Sequence, residues 1–99
     1  VLLGAGTDGH TSSIFPGQEY LLTSSQIYAP SEHPVTGQKR IALTGQPIIH
    51  AKETIFLITG EEKATVVSDI LLSPQAGPAA YIAHHALNAT LYLDKEAGF

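Results

Sequence analysis

Directly behind the apolar run Val1-Leu2-Leu3, the chain reads Gly4-Ala5-Gly6-Thr7-Asp8-Gly9-His10-Thr11-Ser12-Ser13-Ile14-Phe15-Pro16-Gly17. A short buried strand thus runs into a loop with three glycines. That loop presents an aspartate, a histidine and a cluster of hydroxyls, and Phe-Pro-Gly closes it. Polar groups gathered at a strand end are how α/β sheets bind ligands. The chain must therefore place this segment at the end of a sheet strand.

The rest of the sequence alternates accordingly. Thr54 to Thr59 is a continuous β-branched and aromatic run, as expected of a parallel strand covered on both faces. Gly60 turns the chain into a helix from about Glu61 to Leu72, with Val66, Val67, Ile70 and Leu71 as its apolar stripe. A second helix is expected over Ala79 to Leu87 and a last strand over Thr90 to Leu93. Earlier, a short helical stretch follows the glycine loop as far as Phe15, and Gln18 to Gln26 is polar and irregular. Ile27 to Ala29 reads as a short strand stopped by Pro30, and Ser31 to Gln38 as a turn-rich loop. Arg40 to Leu43 is a strand, after which Pro47 opens a short helix through Ala51. Together these predict an α/β fold of three layers, a mostly parallel sheet with flanking helices.

Length and charge narrow the function. With 99 residues the chain is at most one domain. Its net charge is −4, and its five cations are Lys39, Arg40, Lys52, Lys63 and Lys95. A nucleic-acid surface needs clustered basic residues, and only Lys39-Arg40 adjoin, so nucleic acid is not the expected partner. No apolar run approaches the roughly 18 residues of a membrane span, and there is no signal-peptide pattern. Cysteine is absent, which excludes disulfides and thiolate metal sites. A soluble cytoplasmic enzyme fits these features.

Gly4, Gly6 and Gly9 also satisfy G-x-G-x-x-G, the pattern of a dinucleotide-binding turn. The context is wrong for it. That motif needs a helix running on to the next strand, and Pro16-Gly17 stops any helix opening near His10 after about two turns. Glu32 lies near the distance expected for the ribose-binding acid, but within the turn-rich stretch Pro30-Ser31-Glu32-His33-Pro34.

The block Leu-Gly-x-Gly-x-Asp-Gly-His-Thr-x-Ser-x-Phe-Pro-Gly resembles the signature of the 6-phosphogluconolactonases, which share a superfamily with the glucosamine-6-phosphate deaminases. The resemblance continues through Arg40-Ile41-Ala42-Leu43-Thr44 and Phe56-Leu57-Ile58-Thr59-Gly60-Glu61-Glu62-Lys63-Ala64 to Leu91-Tyr92-Leu93-Asp94-Lys95-Glu96-Ala97. It spans essentially the whole chain in family order. Ala5 stands where Met is common, and Ser12 where Ala is common. The deaminase branch carries Asn-Glu-Pro-Gly after its Asp-Gly-His, and its Glu serves proton transfer. Here Phe15 stands in that stretch and can neither take nor give a proton, which favours the lactonase branch. The resemblance implies hydrolysis of 6-phosphogluconolactone, a step of the oxidative pentose phosphate pathway, without metal or organic cofactor. It also implies a longer parent, with a phosphate-binding turn upstream, of which residues 1–99 are the C-terminal part. The alternatives are deaminase-like chemistry or a non-catalytic sugar-phosphate-binding module.

His10 is the candidate general base, since imidazole titrates near neutrality. Asp8, two residues earlier, either orients that ring, bonds a substrate hydroxyl, or caps local backbone. Gly4, Gly6 and Gly9 permit positive φ and close approach, and their N–H groups are candidates to face the lactone oxygen. Thr11 and Ser12 cap the short helix or border the sugar. Lys63 falls in the first turn of a helix, where the dipole disfavours a cation unless an anion lies there too. It is the candidate phosphate ligand, against a solvated lysine compensated by Glu61 and Glu62. Arg40 grips phosphate bidentately or pairs with an acidic neighbour. His84-His85 invites a metal reading, but adjacent helical residues point about 100° apart.

Overall fold

The computed structural model describes residues 1–98. Three strands form a parallel sheet in the order β1 (Leu2–Leu3), β4 (Thr54–Ile58), β5 (Ala89–Leu93). Leu2 and Leu3 lie beside Ile55 and Phe56, and Phe56, Leu57 and Ile58 beside Leu91, Tyr92 and Leu93. Because the strands are parallel, their C-terminal ends share one edge. The glycine loop, the Gly60 turn and the Asp94 turn all leave from that edge.

The helices α1 (Gly45–Ile49), α2 (Ala64–Leu72) and α3 (Pro78–His85) close over the sheet. Leu3, Phe56 and Ile58 join Val66, Val67 and Ile70 of α2, Ala79 and Ile82 of α3, and Ile48 of α1 in one buried core. Each of the larger side chains among these, fully buried, stabilises the fold by about 1.5–3 kcal/mol. Leu71 does not share that face and is 40% exposed, since it lies about 100° around α2 from Ile70. The sheet is covered on one side only among the described residues. Leu2, Leu57 and Tyr92 stand 69%, 54% and 58% exposed on the other side, where the sequence led us to expect cover on both.

β2 (Tyr28–Glu32) and β3 (Lys39–Leu43) pair antiparallel in a separate hairpin. Pro30 does not stop β2. It lies opposite Ile41 in a two-stranded ribbon, where a missing N–H on the outer side costs no ladder bond. Residues Glu19–Leu22, within the stretch read as irregular, make a 3₁₀ turn that buries Leu21 and Leu22. The helix expected from Glu61 starts as a 3₁₀ turn over Glu61–Lys63 and becomes α-helical at Ala64. α3 ends at His85, two residues short of the expected Leu87.

Candidate active site

The expected helical stretch after the glycine loop does not form. Ser12 and Ser13 both adopt positive φ, 53° and 58°, and Thr11 and Ile14 exchange backbone hydrogen bonds across them at 3.4 and 2.8 Å. That is a two-residue hairpin turn of the mirror-image type. Left-handed backbone at two successive non-glycine residues costs of order 1–2 kcal/mol each, so neighbouring bonds must hold it. The Ser12 hydroxyl donates to the Leu43 carbonyl at 3.0 Å and the Thr11 hydroxyl to the Gly4 carbonyl at 2.6 Å. Ile14 and Phe15, immediately beyond, are fully buried. Both hydroxyls are therefore committed to backbone carbonyls, tying the loop to the ends of β1 and β3.

Within the loop, the Gly6 N–H donates to the His10 carbonyl at 2.9 Å, and the Gly9 N–H to the Gly6 carbonyl at 3.0 Å. These two amides shape the loop and are spent inside it. A Cβ at Gly6 would fall on the His10 ring and 2.8 Å from the Asp8 carboxylate, so only glycine lets that pair fold back over the backbone. Gly9 takes φ 91°, and its carbonyl accepts the Ala79 N–H of α3 at 2.9 Å.

Asp8 and His10 form the polar centre. Asp8 Oδ1 accepts the backbone N–H of His10 at 3.0 Å and lies 2.6 Å from His10 Nδ1. Burial pushes the Asp8 carboxyl up, but the His10 backbone N–H, the ring hydrogen bond and the charge on the imidazole outweigh it. The net result holds Asp8 below the usual aspartate range. An ionised carboxylate has no proton to give, so Nδ1 must be the donor, and whenever the ring is neutral its lone pair is on Nε2. Asp8 thus both caps local backbone and orients the ring. The two side chains remain 45% and 30% exposed, open to water.

Phe15 is the hub of the surrounding site. The His10 ring packs on it at 4.7 Å between centroids, His33 from the β2–β3 turn at 5.1 Å, and the Arg40 guanidinium lies 5.7 Å from its centre. Arg40 also donates to Gln38 at 2.9 Å, while its neighbour Lys39 takes the ion pair with Glu32. The tertiary structure brings Arg40 to His10 through Phe15. His33 arrives with it, and no spacing in the sequence marked it. Its only sequence signal was a place in a turn beside Pro34.

Lys63 reaches the same loop from the turn after β4. Its ammonium donates to the Ala5 carbonyl, 58 residues away, instead of standing solvated beside Glu61 and Glu62. The adjacent histidines of α3 go separate ways: His84 Nε2 contacts the Ile70 carbonyl at 2.5 Å, and His85 stacks on Tyr81 at 4.0 Å.

A histidine and its carboxylate thus stand in a glycine loop at the edge where parallel α/β sheets bind ligands. A family model described as glucosamine-6-phosphate isomerases/6-phosphogluconolactonase matches residues 1–92, and the chain belongs to that family. It is 43% identical over 86 residues to 6-phosphogluconolactonase of Treponema pallidum, covering 87% of this chain and 34% of that protein. It is 40% identical over 102 residues to the Aggregatibacter actinomycetemcomitans 6-phosphogluconolactonase, covering 98% of this chain and 43% of that one. The solved structure of 6-phosphogluconolactonase from Trypanosoma brucei superposes with a TM-score of 0.84 at 36% identity, over 98% of this chain and 40% of the other. The chain therefore spans less than half the length of the relatives it matches, and its α/β fold with a mostly parallel sheet is theirs.

Proposed function

We propose that the protein carrying this chain hydrolyses 6-phosphogluconolactone to 6-phosphogluconate. The observation that carries the reading is the Asp8–His10 contact at 2.6 Å, which leaves Nε2 free at the sheet's ligand-binding edge. In this reading Nε2 takes a proton from water as its oxygen bonds to the lactone carbonyl carbon. The tetrahedral oxyanion then collapses, the bond to the ring oxygen breaks, and the imidazolium returns the proton to that oxygen. Water and one histidine suffice, so the step uses neither metal nor organic cofactor. Phe15 supports this branch over the deaminases, because its fully buried ring fills the stretch where a proton-transferring Glu would stand.

Lys63, which contacts the loop at Ala5, and Arg40, which lies over Phe15, are the cations we assign to the phosphate, whose binding energy would position the ring. Thr11, Ser12, Gly6 and Gly9 serve this site by fixing the loop. The reading takes residues 1–99 as the C-terminal part of one longer lactonase domain. Its support is the length of the relatives and the bare sheet face at Leu2, Leu57 and Tyr92. Among the described residues no helix is long and apolar enough to cross a membrane. The lactonase reading itself implies a small-molecule sugar-phosphate partner, a cytoplasmic place and no nucleic-acid partner.

The test is His10→Ala in the full-length protein, assayed on freshly generated phosphorylated lactone with spontaneous hydrolysis subtracted. The expected loss in kcat is about 10²- to 10⁴-fold, the range of a general acid–base group, with substrate affinity little changed. Near-normal turnover would reduce His10 to a loop residue, and absence of turnover in the parent would favour a non-catalytic sugar-phosphate-binding module.

A further inference from the structure

We propose that Asp94 is a positioning residue that sets Lys63 against the glycine loop. The inference rests on the lactonase reading for its meaning in catalysis. Asp94 follows β5 directly, at the edge shared by all three parallel strands. Both its carboxylate oxygens accept the Gly60 N–H, at 3.1 Å each, across 34 residues of sequence. Oδ1 also accepts the Ala97 N–H at 2.8 Å, and the Asp94 carbonyl accepts the Gly98 N–H at 3.0 Å. The carboxylate is thereby fixed in its own turn before it reaches Gly60.

Gly60 needs such an anchor. Its φ of 100° is open to few residues but glycine, and a Cβ there would meet the Glu62 carboxylate at 2.7 Å. A flexible glycine between a strand and a helix defines no single exit direction unless its amide is held. The Gly60 carbonyl in turn accepts the Lys63 N–H at 3.1 Å, so the turn sets where the lysine stem starts. Lys63 then donates to Ala5, and one residue on, the Gly6 N–H holds the His10 carbonyl. A line of single contacts runs from Asp94 through Gly60 and Lys63 to the loop that carries His10. The negative charge of Asp94 at the start of a helix also opposes the unfavourable placement of a lysine there.

The experiment is a double-mutant cycle in the full-length protein, with Asp94→Ala, Lys63→Ala and their combination, each assayed on phosphorylated and unphosphorylated lactone. Lys63→Ala is expected to raise KM for the phosphorylated substrate by about 10- to 100-fold, the worth of a charged hydrogen bond. Asp94→Ala is expected to raise the same KM by about 5- to 20-fold with kcat nearly unchanged, and by less than about twofold when Lys63 is already alanine. Asp94→Asn keeps one accepting oxygen and should recover part of the loss, and it supplies the answer if the alanine variant folds poorly. Equal losses on both lactones, or fully additive losses in the cycle, would overturn the proposal. If the parent protein does not turn over the lactone, the lactonase reading fails separately. Placement of Lys63 is then read from amide exchange over residues 60–63 and the Lys63 ammonium resonance in NMR. Asp94→Ala should speed the former and shift the latter, and no change in either would overturn the proposal.

Discussion

Two turns of this molecule each hold a histidine against the same phenylalanine, and they hold it in opposite ways. In the glycine loop, His10 Nδ1 faces the Asp8 carboxylate at 2.6 Å and must donate. In the β2–β3 turn, His33 Nδ1 accepts the N–H groups of Val35 and Thr36 at 3.1 and 3.2 Å. The partners therefore select opposite tautomers. His10 presents a bare Nε2 and His33 an Nε2–H, although both rings pack on Phe15. Packing on Phe15 does not set the tautomer. The hydrogen bond on Nδ1 does.

The contrast can be broken most sharply at Asp8. Asp8→Asn should lower kcat by about tenfold to a hundredfold, as for loss of a partner that orients a histidine. Substrate KM should stay close to the parent's. A change confined to KM would show that Asp8 binds substrate and does not orient the ring. At His33 the expectation is much smaller. His33→Ala should change kcat by less than about threefold and cost about 1 kcal/mol of stability, the net worth of an ordinary hydrogen bond, read from thermal melts. A loss on the scale of the His10 variant would mean that both rings take part in proton transfer.

The smallest effect is on acid stability. Asp8 has a folded-state pKa below its ordinary value of 3.8. Its contribution to stability is therefore fully present above pH 3.8 and is lost as pH falls through the lowered folded value. Melting curves of the parent and Asp8→Asn should differ most above that pH and converge below it. A gap that widened on acidification would reverse the sign and remove the ionised carboxylate from the site.

Legibility followed the range of each interaction. Asp8 and His10 are two residues apart in a loop whose glycines permit one close fold-back, so their pairing was readable as one of three roles. The strand at 54–58 and the stripe Val66, Val67, Ile70 follow from periodicity alone. The hairpin turn at Ser12-Ser13 was not readable. Left-handed serines go against local preference, and what holds them is a bond to Leu43, 31 residues on, and the burial of Ile14 and Phe15. Pro30 misled for the complementary reason: proline interrupts most strands, but not the outward-facing position of a two-stranded ribbon.

From composition and order alone, the chain was committed to a mostly parallel α/β sheet with an Asp-Gly-His loop leaving a strand end, because helical and strand periods and glycine conformations are local properties. Which groups share that loop was settled only by folding. Parallel strands align their C-terminal ends, so residues as distant as Ala5, Gly60 and Asp94 meet at one edge. Burying Phe15 draws His33 and Arg40 to it from a hairpin whose sequence names no target. Such contacts depend on which apolar faces pack together, and a one-dimensional pattern fixes the faces without fixing their partners.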